Sequence, residues 1–199
     1  MKKFKTGIVG CGRIGSLLEE DPLRGKPCTH AGGFSALSAI HLSAGCDIDP
    51  ERLQKFGKRW NVTRLYSDYR EMLKKENLDI LCIATWTSLH ASMTLHAAKA
   101  GIKGIFCEKP VAIDLIQARK MVSVCKKHNV ALTINHERRW DANYQQARKL
   151  ILSGKIGEIK TIIGNTLSWK PGRLSVSKHG GGPLFHDGTH LADLDRKSV

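Results

Sequence analysis

The sequence predicts an α/β protein: a doubly wound parallel sheet, followed from about residue 137 by the beginning of an α+β domain. Three observations carry that expectation. Apolar, strand-like runs alternate with stretches of helical periodicity; glycines at 10, 12 and 15 follow the first run; and the alternation gives way to a different pattern near residue 141.

KTGIV (5–9) is a short apolar strand, followed by the glycine turn and a helix start in RIGSLLEE. HLSAGC (41–46) is a second strand, and PERLQKFGKRW a helix with Pro50 in its first turn and Asp49 as its cap. LDILCIAT (78–85) is apolar almost throughout, as expected of a parallel strand buried on both faces. LHASMTLHAAKAG has helical periodicity and stops at Gly101. GIFCE (104–108) and ALTIN (131–135) are further strands, separated by the helical DLIQARKMVSVCKKHN. Right-handed crossovers then build one parallel sheet.

Beyond this lie a helix, DANYQQARKLILSGK, a turn at Gly154 to Gly157, an extended strand in GEIKTIIGNTLSWK, a glycine-rich loop and a terminal helix. The boundary falls between a domain at 1–136 and a partial one at 137–199.

The chain has 199 residues, enough to bury one complete core and part of a second. Apolar residues make up 41%, but no run approaches the roughly 18 needed to span a membrane. The lysines and apolar residues at the start imitate a signal peptide, yet Arg13 interrupts the run. Six cysteines without a C-x-x-C pair suit reduced thiols, so a soluble cytoplasmic protein is expected. Cys28 and His30 alone are too few for a metal site.

The formal charge of +14 favours acidic partners, but the basic residues are dispersed near helix ends and no aromatics interleave with them. Nucleic acid is therefore not the expected partner. An anionic dinucleotide benefits from the same field.

Gly10, Gly12 and Gly15 form G-x-G-x-x-G, with Arg13 and Ile14 between the last two. After a strand, this spacing is the phosphate-binding turn of a Rossmann domain: the first glycine for a tight turn, the second for a close backbone approach to pyrophosphate, the third for close helix packing. Asp47 ends the second strand, where a carboxylate accepts hydrogen bonds from the adenosine ribose. It lies 32 residues after Gly15 instead of about 20, and EDPLRGKPCTHAGG reads as the inserted excess. An acid there repels a 2'-phosphate, favouring NAD, while Arg13 keeps NADP open. Glu108 and Lys109 lie at the carboxyl end of a strand, where open α/β sheets bind ligands, and Pro110 restricts the turn. From position alone, Lys109 is either a donor to a substrate hydroxyl or a surface lysine.

Taken together, GCGRIG, CDIDPER, IATWTSLHASMTLHAAKAG, CEKP, RRWDANY, SGKIGEI and GGGPLFHDGTH resemble, in order and over almost the whole chain, the glucose-fructose oxidoreductase and inositol dehydrogenase family, Gfo/Idh/MocA. That resemblance implies an N-terminal Rossmann domain and a C-terminal domain on a large open antiparallel sheet. It also implies NAD(P)-dependent oxidation or reduction of sugars, cyclitols or related polyols. Lys109 matches the lysine that touches nicotinamide and substrate; Thr85 and His90 match the segment lining the cofactor cleft. Arg139 matches an arginine near cofactor or substrate, with a structural salt bridge as the alternative.

His190 matches the family's acid/base histidine, whose near-neutral pKa suits proton transfer from a hydroxyl. Family members place an aspartate four residues earlier; here that position is His186, and Asp187 comes one residue later. On a helix Asp187 still shares a face with His190. A metal site on His186 and His190 with Asp187 or Asp193 is the rival, but it lacks the intervening glutamate of a zinc hydrolase; Asp193 is expected to make a structural bond.

Only one strand of the second sheet is evident, which suggests a truncated family member, and unpaired strand edges favour a homo-oligomer. Two functional classes remain at this point: a polyol or sugar dehydrogenase, and a dinucleotide-binding remnant or regulatory module without turnover.

Overall fold

The computed structural model describes residues 3–165, 185 and 187–193. The chain forms two compact units, Met1–Ile134 and Asn135–Val199.

Six strands make a single sheet: β1 (Phe4–Val9), β2 (Ile40–Cys46), β3 (Arg64–Tyr66), β4 (Ile80–Ile83), β5 (Gly104–Glu108) and β6 (Ala131–Asn135). Their spatial order is β3-β2-β1-β4-β5-β6. β1 pairs in parallel with both β2 and β4, β2 with β3, and β4 with β5. Strand order therefore reverses between β1 and β4, and the carboxyl ends of those strands open the crevice in which such sheets hold ligands.

Successive strand residues serve opposite faces. Ile8 and Cys82 enter one apolar cluster with Leu42, Leu53 and Phe56; their neighbours Val9, Leu81 and Ile83 enter the other with Met72, Ala97, Ile105 and Met121. Covering both faces of the sheet explains the nearly continuous apolar run at 78–85.

The helices are α1 (His30–Ser35), α2 (Pro50–Trp60), α3 (Tyr69–Lys75), α4 (Thr87–Lys99), α5 (Leu115–Lys127) and α6 (Ala142–Leu152). Aspartates start four of them by accepting backbone N–H groups: Asp49 for α2, Asp68 for α3, Asp114 for α5 and Asp141 for α6. Asn61, in the left-handed region at φ 53°, closes α2. The cap and the proline at the start of α2 are those expected from the sequence.

Three features depart from expectation. The glycine turn does not open a long helix; it leads through one turn to a 3-10 segment at Leu17–Glu20, and α1 begins only at His30. The Pro- and Gly-rich insertion separates what is usually continuous. β3 and α3 are not evident from the sequence, because three residues of strand carry too little periodicity to register. The segment expected as a strand from 157 is not one over its described part, 157–165. A strand exists only against a hydrogen-bonded neighbour, and the described residues of the second unit supply none; residues 166–170 lie outside those described.

The second unit contains a 3-10 segment at Glu137–Trp140, then α6, then a turn through Gly154 and Gly157, both near φ +70°. Residues 187–193 are helical. The six cysteines are free thiols. No helix among the described residues is long and apolar enough to cross a membrane.

Candidate active site

The glycine turn follows β1 and is shaped by two steric demands. Gly10 has φ +95°, and a Cβ there would lie 2.5 Å from the Ala84 carbonyl oxygen. A Cβ on Gly15 would fall 1.9 Å from the Gly10 oxygen. Gly12 is different: the nearest atom to its Cβ position is Arg52 Nη1 at 4.0 Å. Packing does not require glycine there, which leaves the backbone open to the approach of a group from outside. Arg13 beside it is exposed and Ile14 half-buried.

Asp47, buried at the end of β2, holds this turn in place. Its Oδ2 accepts the Cys11 N–H at 2.8 Å and its Oδ1 accepts the Asp49 N–H at 2.9 Å. A carboxylate has about four acceptor sites, so each oxygen keeps capacity for a ribose hydroxyl. The same charge, after burial, pushes the Cys11 thiol far above its ordinary value. The long spacing from Gly15 to Asp47 is taken up by the insertion, which Glu19 braces by accepting from Thr29 Oγ1 at 2.6 Å and Cys28 N at 3.2 Å.

At the end of β4, Thr85 is half-buried, with its carbonyl turned to His90. His90 is fully buried, its Nδ1 2.8 Å from the Pro110 carbonyl and its Nε2 3.2 Å from that of Thr85. It thus ties the β4 turn to the β5 turn. Burial pulls its pKa below the ordinary histidine value, against the opposing pull of the two carbonyls.

Glu108 ends β5 and is also buried. Its Oε2 accepts the Lys109 N–H at 3.2 Å, and its Oε1 lies 2.8 Å from His30 Nε2. Lys109 comes next, half-buried, joined to Pro110 by a cis peptide bond.

In the second unit, His190 is buried and its Nε2 lies 3.5 Å from Glu137 Oε1. One helical turn later, Asp193 receives Arg139 in a two-pronged contact, with Nε at 2.7 Å from Oδ2 and Nη2 on Oδ1. His136 Nδ1 stands 3.9 Å from the same carboxylate. The 3-10 segment and the 187–193 helix therefore meet through two polar contacts, Glu137 beside His190 and Arg139 on Asp193.

The family model for the oxidoreductase family with an NAD-binding Rossmann fold, GFO_IDH_MocA, matches residues 4–136. The chain belongs to the Gfo/Idh/MocA family. It is 33% identical over 157 residues to a D-apiose dehydrogenase of Paraburkholderia graminis, covering 79% of this chain and 38% of that protein. It is 26% identical over 193 residues to a myo-inositol 2-dehydrogenase of Thermotoga maritima, covering 97% of this chain and 54% of that one. A scyllo-inositol dehydrogenase of Lactobacillus casei, solved with NAD(H) and scyllo-inositol, superposes with a TM-score of 0.84 at 27% identity, over 100% of this chain and 56% of the other. The chain spans about half the length, or less, of these relatives.

Within this Gfo/Idh/MocA chain, the first unit brings Gly10, Gly12, Gly15 and Asp47 together around one turn, and Thr85, His90, Glu108 and Lys109 around the ends of β4 and β5. The second unit brings His190 to Glu137, a carboxylate that sequence reasoning missed. Asp187 is half-buried three residues before His190, and His186 lies outside the described residues. Arg139 makes a salt bridge to Asp193. Asp193 is expected from the sequence to bond within its own helix; its partner is Arg139 of the 3-10 segment instead. In the sequence His30 has no role beyond that of a turn residue near Cys28; the structure sets it against Glu108.

Proposed function

We propose that this chain is the cofactor-binding and proton-transfer part of an NAD-dependent dehydrogenase acting on a hydroxyl-bearing carbon of a sugar, cyclitol or related polyol. One observation carries the cofactor half: a glycine turn at the strand-order switch, sealed by Asp47, whose middle glycine is free of packing demands. The turn receives the pyrophosphate, and the spare acceptor sites of Asp47 receive the ribose hydroxyls. When bound, the nicotinamide supplies the hydride acceptor.

Lys109 donates a hydrogen bond to the substrate hydroxyl and lowers its pKa. His190 accepts the hydroxyl proton as the carbon–oxygen double bond forms, and returns it in the reverse direction. The carbinol loses one hydride and one proton, which balances the two-electron oxidation. Glu137 and Asp187 favour the charged imidazolium that proton acceptance creates. The sugar and inositol dehydrogenases among the relatives support the substrate class.

Incubation of the protein and NAD+ with a panel of inositols, aldoses and alditols, with NADH absorbance as the readout, tests the reading. Absorbance that rises with one or more polyols supports it; a flat trace across the panel with NAD+ bound rejects the dehydrogenase assignment.

A further inference from the structure

A histidine and a glutamate 78 residues apart are buried against each other beneath the site, with His30 Nε2 and Glu108 Oε1 at 2.8 Å. Neither side chain is more than about a tenth exposed, at 8% and 10%. A buried carboxylate is costly unless donors satisfy it, so this contact fixes where Glu108 points. His30 is itself fixed. Its N–H donates to the Ile14 carbonyl at 3.0 Å, the next N–H donates to Gly15 at 3.0 Å, and its ring packs edge-on against Phe106 at 5.4 Å. The remaining oxygen of Glu108 accepts the Lys109 N–H at 3.2 Å. An unbroken series of contacts thus runs from the cofactor turn, through the imidazole and the carboxylate, to the backbone of Lys109.

We propose that His30 is a positioning residue for Lys109, acting through Glu108. The inference rests on the role given to Lys109 above. His30 keeps the Glu108 carboxylate oriented, and the carboxylate keeps the turn that aims the Lys109 ammonium. The insertion before His30 lengthens the path from the glycine turn, yet the backbone bonds to Ile14 and Gly15 return the imidazole to the turn. Without the imidazole, Glu108 loses a buried donor, and the Lys109 N–H loses a fixed acceptor. A displacement of about 1 Å at a reacting group can cost about a hundredfold in rate.

Two variants separate positioning from bulk stability. His30→Phe keeps the ring packing on Phe106 and removes the donor; His30→Gln places an amide N–H near the position of Nε2. Amide hydrogen exchange at Lys109 is read by NMR beside that at Ile8 in β1, and steady-state rates with NAD+ and a responsive polyol are measured in parallel. In His30→Phe, exchange at Lys109 is expected to quicken about tenfold with Ile8 unchanged. kcat is expected to fall about ten- to a hundredfold with little change in NAD+ affinity, and His30→Gln recovers most of both.

Unchanged exchange at Lys109, equal acceleration at Ile8, or a His30→Gln variant as impaired as His30→Phe overturns the proposal. If His30→Phe does not fold, His30→Leu, which also removes the ring nitrogen facing Glu108, carries the same comparison, and unchanged Lys109 exchange there overturns it too. Exchange needs no turnover, so a wild-type protein that oxidises no polyol refutes the dehydrogenase reading while the Lys109 amide still decides the role of His30.

Discussion

Asp47 Oδ2 accepts the backbone N–H of Cys11 at 2.8 Å, so the residue proposed for the ribose also holds the glycine turn closed. The proposed recognition and the stability of the turn are thereby joined in one buried carboxylate. Asp47→Ala is expected to weaken NAD binding and also to destabilise the fold by about 1–3 kcal/mol, since two backbone donors lose their acceptor. NAD titration and urea unfolding of the same variant check the two effects; weakened binding at unchanged stability would mean that the turn does not depend on this bond.

His90 links folding to pH. Its folded-state pKa is depressed by burial, so the unfolded chain binds the extra proton first. The contribution is fully present above the ordinary histidine value of about 6.5 and is lost as pH falls from there toward the lower folded value. In His90→Gln, which cannot titrate, the loss of stability between about pH 7.5 and 5.5 is expected to be shallower than in the wild type. Urea midpoints at several pH values measure it, and parallel curves would exclude His90 as a source of the pH dependence.

Glu137 Oε1 stands 3.5 Å from His190 Nε2 with the acid 54% exposed, so solvent and salt limit how far its charge can favour the imidazolium that proton acceptance creates. Exposed pairs contribute about 0.2–1 kcal/mol, which translates to a loss of up to about fivefold in kcat/KM for Glu137→Gln. Salt near 1 M should shrink that difference, because screening weakens the attraction between Glu137 and the imidazolium formed on proton acceptance. A variant effect that grows with salt would point to a different role for Glu137.

Lys109→Ala and His190→Ala separate chemistry from binding. Each is expected to lower kcat about 10²- to 10⁴-fold, the usual contribution of a positioned acid or base. NAD+ affinity should fall far less, and calorimetry beside NADH formation distinguishes the two. Full rates in both variants would remove the proposed roles.

Much of this organisation is legible in the sequence, and the reasons are local. Asp49 and Pro50 mark the start of α2 because a cap and a fixed φ act within a few residues. Gly10 is dictated by its φ of +95° and Gly15 by the Gly10 carbonyl inside the same turn. The end of β5 marks Glu108 and Lys109, since the ligand-binding edge of a parallel sheet follows from strand direction alone.

The pairings between distant residues are not legible there. His30 meets Glu108 only because α1 is anchored back on Ile14 and Gly15 after the insertion. Glu137 meets His190 only because a 3-10 segment and a later helix pack together within the second unit, whereas Asp187 is the nearer acid in the sequence. β3 escapes notice for a simpler reason: its three residues pair with Ala44 to Cys46, and that partnership, not propensity, makes it a strand.

The most direct measurement compares NAD+ binding by calorimetry in the wild-type chain and in Gly12→Val. The Cβ position of Gly12 has only Arg52 Nη1 at 4.0 Å, so the variant should fold with nearly unchanged stability while its side chain occupies the pyrophosphate approach. Saturable binding to the wild type that vanishes in Gly12→Val is the expected result. Absence of binding to the wild type, or equal affinity in the variant, would contradict the assignment of this turn as the cofactor site.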